Sequence, residues 1–212
     1  MADKVKRYLI FLIGLFVNSL GVSLITKADL GTSPISSIPY VLSLSFPFSL
    51  GQFTMAFSLL LILLQWMILR SNFQLPHLLQ IPVSIAFGCF IDVCMALFSF
   101  VQPASYPSKV IGLLIGCVIL GFGVYLEVLA DVVMLPGESF VRAVVSRWER
   151  EFGSTKVCFD VSMAVIAVAL SILFAGELNG VREGTLIAAL LVGFLARMFG
   201  KVVPKLFPVA SL

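Results

Sequence analysis

Five side chains stand where an apolar chain can least accommodate them. Asp92, Glu127, Asp160 and Arg197 fall inside long hydrophobic stretches, and Asn18 falls inside the first. A charge at mid-bilayer costs at least about 2.5–3.5 kcal/mol on insertion scales, so such residues face a bundle interior or a wet cavity, or snorkel from a helix end. Asp92 is the deepest. With Ser84, Gly88, Ala96 and Ser99 it forms a small, polar stripe of the kind that lets helices approach. No acid or base lies three or four residues from it, so its carboxyl must be protonated, paired with a distant helix, or hydrated. A proton or cation site is the chemistry open to such a group. Asp160 follows Lys156 by one helical turn, the spacing of a structural ion pair. Glu127 lies a turn from the end of its stretch and can snorkel. Arg197 follows Gly193 by four residues, as Asp92 follows Gly88.

A second group is built from hydroxyls. In the run 32–43, Ser33, Ser36, Ser37, Tyr40 and Ser43 share one helical face, while Ile35, Ile38 and Leu42 share the other. Ser33 before Pro34 is a helix start, with a hydroxyl at the N-cap and proline at the first helical position. Two readings stay open: amphipathic packing at a membrane interface, or a helix N-terminus and hydroxyls that bind a polar or anionic solute. Enzyme chemistry is not expected, because no nucleophile elbow, zinc-protease motif or phosphate-binding glycine loop is present. His77 is the single histidine, and Cys89, Cys94, Cys117 and Cys158 form no Cys-x-x-Cys, so neither a metal nor another cofactor is expected.

These groups must be positioned by helices in lipid. The chain is 60% hydrophobic and 12% charged, too little polar surface to solvate a soluble fold of this size. Six continuous apolar stretches, at 8–26, 51–69, 79–101, 110–130, 157–175 and 184–200, each suffice to cross a bilayer. Continuous rather than alternating hydrophobicity makes them helices. The first stretch resembles a signal peptide, but its internal copy predicts that it is retained.

That copy organises the chain. Residues 12–57, shifted by 102, align without a gap onto 114–159, with twelve identities that include Gly14/Gly116, Gly21/Gly123, Asp29/Asp131, Pro34/Pro136, Ser37/Ser139 and Gly51/Gly153. The expected fold is all-α: six transmembrane helices as two three-helix repeats, 1–102 and 110–205, each with a short amphipathic or re-entrant helix after its first span. Three crossings per half turn the second repeat upside down relative to the first. Lengthening the offset by three residues sets Gly88-x-x-x-Asp92 on Gly193-x-x-x-Arg197. Gly14, Asn18 and Gly21 share a face of the first span, and Gly112, Gly116 and Gly123 share one on the fourth, which predicts that these two helices cross closely. The second short helix, opening at Pro136-Gly137-Glu138-Ser139, is expected to rest on the cytoplasmic surface.

Charge sets the orientation. With both termini in the cytoplasm, ten Lys and Arg fall on the cytoplasmic side, and only Lys27, Lys109 and Arg182 fall outside. Residues 27–50 and 176–183 are then outside and 134–155 inside. The net charge of +3 is explained by topology, so nucleic acid is not an expected partner. The bilayer and a small polar or anionic solute are.

The motifs Leu30-Gly31-Thr32-Ser33-Pro34, Gly88-x-x-x-Asp92, Pro136-Gly137-Glu138-Ser139 and Glu183-Gly184-Thr185 resemble the YczE/YyaS/YitT family of bacterial integral membrane proteins. Gln80-Ile81-Pro82 departs from the Gly-Thr turn expected before the third span. The resemblance implies a multi-pass protein of the bacterial cytoplasmic membrane linked to transport or export, and brings no substrate or catalytic residues. The leading expectation is a small-solute permease or exporter with its site between the repeats. A non-transporting accessory or scaffold protein is the alternative. The two differ in whether a polar cavity reaches mid-membrane.

Overall fold

The computed structural model describes residues 2–206, and among them there are helices and no strands. The helices are α1 (Ala2–Lys27), α2 (Pro34–Ser45), α3 (Leu50–Leu69), α4 (Gln80–Leu97), α5 (Tyr106–Ala130), α6 (Pro136–Trp148), α7 (Phe152–Ala175) and α8 (Glu183–Leu206), with two short 3-10 turns between α3 and α4. All but α2 and α6 are long and apolar enough to cross a membrane, six in total. The plan long, short, long, long occurs twice. Pro34 and Pro136 each occupy the first residue of the short helix, and Gly51 and Gly153 each the second residue of the helix after it.

The centre is the pair α1 and α5, which run antiparallel. Glycine makes this contact possible. A Cβ on Gly21 would lie 2.5 Å from the Leu120 backbone nitrogen, and one on Gly123 would lie 2.5 Å from that of Asn18. A Cβ on Gly14 would lie 3.0 Å from the Glu127 nitrogen, and one on Gly116 would lie 2.6 Å from the Ile25 side chain. The close crossing expected of the first and fourth spans is present. Each contact also turns into its partner when the halves are swapped by the 102-residue offset.

The ends of this pair follow the same rule. Asp29 and Asp131 follow α1 and α5 in the left-handed region, at φ 56 and 46, a conformation that Asp tolerates better than most side chains. Each carboxylate then meets a base near the start of the other half's long helix: Asp29 with Lys109, and Asp131 with Arg7 at 3.0 Å.

The outer helices pack on this spine. α4 lies on α1 and α8 lies on α5, while α2 and α6 both wedge between α3 and α7. The largest difference between the halves is that α3 packs along α4, whereas α8 stands off from α7.

α6 packs one face into this bundle and leaves Arg142, Ser146, Arg147 and Trp148 exposed. Pro136, Gly137, Ser139, Val141 and Ala143 are buried, as are Pro34, Ser36, Ser37, Ile38, Pro39 and Val41 of α2. Two features explain it. Gly137 offers no side chain, so Ile35 fills the space where a Cβ would stand. Ser139 is held by two buried glutamines: its hydroxyl donates to Gln65 Oε1 at 2.8 Å and accepts from Gln80 Nε2 at 3.0 Å. Gln65 and Gln80 bond each other at 3.2 Å, and Gln65 Nε2 also reaches the Pro136 carbonyl at 3.1 Å.

The motif turns pack together as well. Gly31 has a φ of 108, and a Cβ there would lie 2.4 Å from the Thr185 hydroxyl oxygen. The Gly184 N–H donates to the Leu30 carbonyl at 2.8 Å. The Leu30-Gly31-Thr32 and Gly184-Thr185 motifs are thus two sides of one backbone contact.

Candidate functional site: a cavity between the halves

A cavity of about 620 Å³ lies between the two halves. It extends from the N-termini of α2 and α6 to the first turn of α7 and the flank of α8 as far as Arg197. Six of its polar lining residues form three equivalent pairs under the 102-residue offset: Ser36 with Glu138, Thr54 with Lys156, and Ser58 with Asp160. The first half contributes hydroxyls and the second contributes charges. Val22 and Val124, also an equivalent pair, supply apolar wall together with Phe57, Phe87 and Leu120.

The two short helices point their N-termini at this space. Neither N-terminus has a side-chain cap. Ser33 holds the N-cap position of α2, yet its hydroxyl donates to Ser36 Oγ at 2.9 Å instead. Pro34 and Pro136 carry no N–H and the Ser36 N–H donates to the Ser33 carbonyl at 2.9 Å, so the helix-end donors left beside the cavity are few and sit just after the prolines.

The expected site residues divide. Asn18, Ser33, Ser36, Asp160 and Arg197 line the cavity. Lys156 and Asp160 form the expected ion pair, with N–O at 2.5 Å. Burial holds the Glu138 carboxyl above the ordinary range, against the pull of Lys156 and Arg142. Arg197 is exposed along the cavity's flank, and among the described residues it makes no ion pair. Glu127 does not line the cavity; its Oε1 accepts from Asn18 Nδ2 at 2.9 Å, so Asn18 joins it to the wall. Ser37 is fully buried and donates to the Ser33 carbonyl at 3.0 Å. Tyr40 packs against the central core.

Asp92, favoured from sequence as the proton or cation site, is not in the cavity wall. Its carboxylate accepts from Ser49 Oγ at 2.6 Å and from the Gly51 N–H at 2.8 Å, across the α3–α4 contact. It caps α3 from a neighbouring helix, which supplies the distant partner its position calls for. The sequence reading missed Thr54 and Ser58, and gave Glu138 and Lys156 no place at a solute site. The repeat held the signal for Glu138, since the offset carries Ser36 onto it. Thr54 and Ser58 follow in the same way from the Lys156–Asp160 pair.

A multi-pass helical membrane protein is the class these features define, with a largely apolar cavity, carrying some polar groups, where its halves meet. Residues 5–201 match the model of a family of unknown function, DUF6198, and the chain belongs to that family. It is similar to the uncharacterized membrane protein YczE of Bacillus subtilis (strain 168), 27% identical over 200 residues that cover 92% of this chain and 86% of that protein. It is also similar to the uncharacterized protein YyaS of the same organism, 25% identical over 203 residues that cover 95% of this chain and 96% of that protein. No solved structure matches the chain.

Proposed function

We propose that this protein is a permease for a small solute in the bacterial cytoplasmic membrane, built from two inverted repeats with the solute site between them. The observation that carries the reading is the cavity lined by equivalent positions from both halves. A protein that only scaffolds a neighbour has no need to set Ser36, Ser58, Glu138, Lys156 and Asp160 around an open space between its own halves. The inversion is supported by the antiparallel α1–α5 pair and its exchange-related contacts, since a twofold axis that swaps antiparallel helices lies across them, in the membrane plane. The ten-to-three bias of Lys and Arg favours cytoplasmic termini. In that orientation the first turn of α7, and with it the cavity's charged end, lies on the cytoplasmic side.

The lining favours a small amphipathic solute. Hydroxyls and uncapped helix ends suit a polar or anionic group, the apolar wall suits a short hydrocarbon body, and Glu138, Lys156 and Asp160 can neutralise charge of either sign. Purified protein should be challenged with amino acids, short carboxylates and amines, reading thermal unfolding in detergent. One class is expected to stabilise it, by about 2.7 kcal/mol at a hundred times its dissociation constant. The stabilising solute should then enter proteoliposomes. Ser58→Leu, which fills the cavity, should abolish both responses. Stabilisation that survives Ser58→Leu undiminished would move the site elsewhere, and a panel without effect on the wild type would weigh for the accessory role.

A further inference from the structure

The repeat holds one helix pair in two different packings. In the first half α3 and α4 touch backbone to backbone. A Cβ on Gly51 would lie 2.1 Å from the Gly88 carbonyl oxygen, and one on Gly88 would lie 2.4 Å from the Met55 side chain. Asp92 locks the contact through Ser49 and Gly51. The equivalent positions in the second half are Gly153, Gly193, Val157, Arg197 and Glu151. None of the corresponding contacts is made there. A Cβ on Gly193 would meet nothing within 4 Å, and one on Gly153 would meet only Glu151. All five residues line the cavity instead.

The chemistry at the two places matches even though the packing does not. The first half sets a hydroxyl at the start of α3 against a carboxylate on α4. The second sets a carboxylate at the start of α7, Glu151, against a guanidinium on α8, Arg197. Glu151 now accepts from the Gly153 and Ser154 N–H groups at 2.7 and 2.6 Å and is exposed, while Arg197 has no ionic partner among the described residues. Gly193 faces open space and Gly153 meets only Glu151 of its own helix start, at the positions where Gly88 and Gly51 bring two backbones together in the other half.

We propose that α7 and α8 close on each other as α3 and α4 do, Gly153 against Gly193 with Arg197 meeting Glu151, and that this closure alternates with the release of Asp92 from α3. The structure is then the state open on the α7–α8 side, and its counterpart is open on the α3–α4 side. Asp92 and Arg197 are the paired latches of two gates. The inference rests on the permease reading. The closed geometry is one this repeat already adopts within the same chain, so no new kind of contact is required. Closing would move Arg197 and Glu151 out of water, and their mutual attraction offsets part of that desolvation, which keeps the closed state from being a permanent one.

Val157→Cys with Gly193→Cys reports the closure directly, because Met55 and Gly88, the equivalent pair, are in contact. The exposed Cys89 and Cys158 are replaced by Ser, and the buried Cys94 and Cys117 stay. Membranes are oxidised with copper phenanthroline, which joins only thiols that come together. The pair is expected to join. Asp92→Asn, which removes a charge from the N-terminus of α3, should speed joining by about two- to five-fold, the factor a charge at a helix end supplies. Arg197→Gln should slow it by a similar factor. A pair that never joins in monodisperse protein, or joins at a rate indifferent to both substitutions, would overturn the proposal. Gly153→Cys with Arg197→Cys serves as the second pair if the first misfolds. Solute entry into proteoliposomes without joining would keep the permease and discard the gate, and joining without any solute movement would do the reverse.

Discussion

Asp92 shows how spacing can flag a residue while leaving its partners to be found in the fold. Its spacing revealed that it had no partner on its own helix, and that much holds. What the spacing could not reveal is the start of another helix 43 positions away in sequence, where Ser49 and Gly51 supply two donors. Gln65 and Gln80 illustrate the opposite case. A lone glutamine in an apolar run carries no charge and no motif, so it draws no notice, yet these two sit 3% exposed or less and make every hydrogen bond that seats α6. Their weight follows from what is stranded on removal. Gln65→Leu leaves Gln80, Ser139 and the Pro136 carbonyl short of partners and should lower stability by about 1–3 kcal/mol. A single membrane hydrogen bond averages only about 0.6 kcal/mol, so a loss no larger than that in detergent unfolding would mean the network repairs itself with water.

The long helices were readable because bilayer thickness fixes their length and hydrophobicity fixes their type. Their ends were less so: α1 runs out to Ala2 and α4 stops at Leu97, since charged residues can extend a helix past the apolar run and apolar ones can lie beyond its end. The short helices were readable in part: on α2, packing between α3 and α7 buries Ser36 and Ser37 together with Ile38 and Val41, while Leu44 stays exposed. Glycine reading worked where glycine meets backbone and has no power to tell occupied space from empty space. That distinction is testable. Gly21→Leu drives a side chain into Leu120 backbone atoms 2.5 Å from the Cβ position and should cost about 3 kcal/mol or more, abolishing monodisperse protein. Gly193→Ala meets nothing within 4 Å and should be neutral or gain up to about 1 kcal/mol from helix propensity. Equal tolerance of the two in thermal unfolding would remove the α1–α5 spine as the source of stability.

The duplication is the most informative property of the whole chain, because one offset relates the glycine contacts, the helix-end ion pairs and part of the cavity lining of the two halves. It also gives the sharpest test of orientation. Ser45 and Ser146 lie in the last turns of α2 and α6, one residue from equivalence under the 102-residue offset. If the repeats were related by an axis along the membrane normal, the two serines would emerge on the same face. If the axis lies in the membrane plane, they must emerge on opposite faces, because the operation that carries α2 onto α6 also carries one side of the bilayer onto the other. The antiparallel contacts of Gly21 with Leu120 and Gly123 with Asn18 favour the second arrangement. The bias of Lys and Arg then sets which serine is which, with Ser45 outside and Ser146 inside. With the exposed Cys89 and Cys158 replaced by Ser, Ser45→Cys in intact cells should react with a membrane-impermeant maleimide, whereas Ser146→Cys should react only after the cells are opened. Labelling of both from one side would overturn the inversion and, with it, the two-gate scheme that depends on the halves facing opposite ways. Opposite labelling with the sides reversed would keep the inversion and turn the cavity of this state toward the outside.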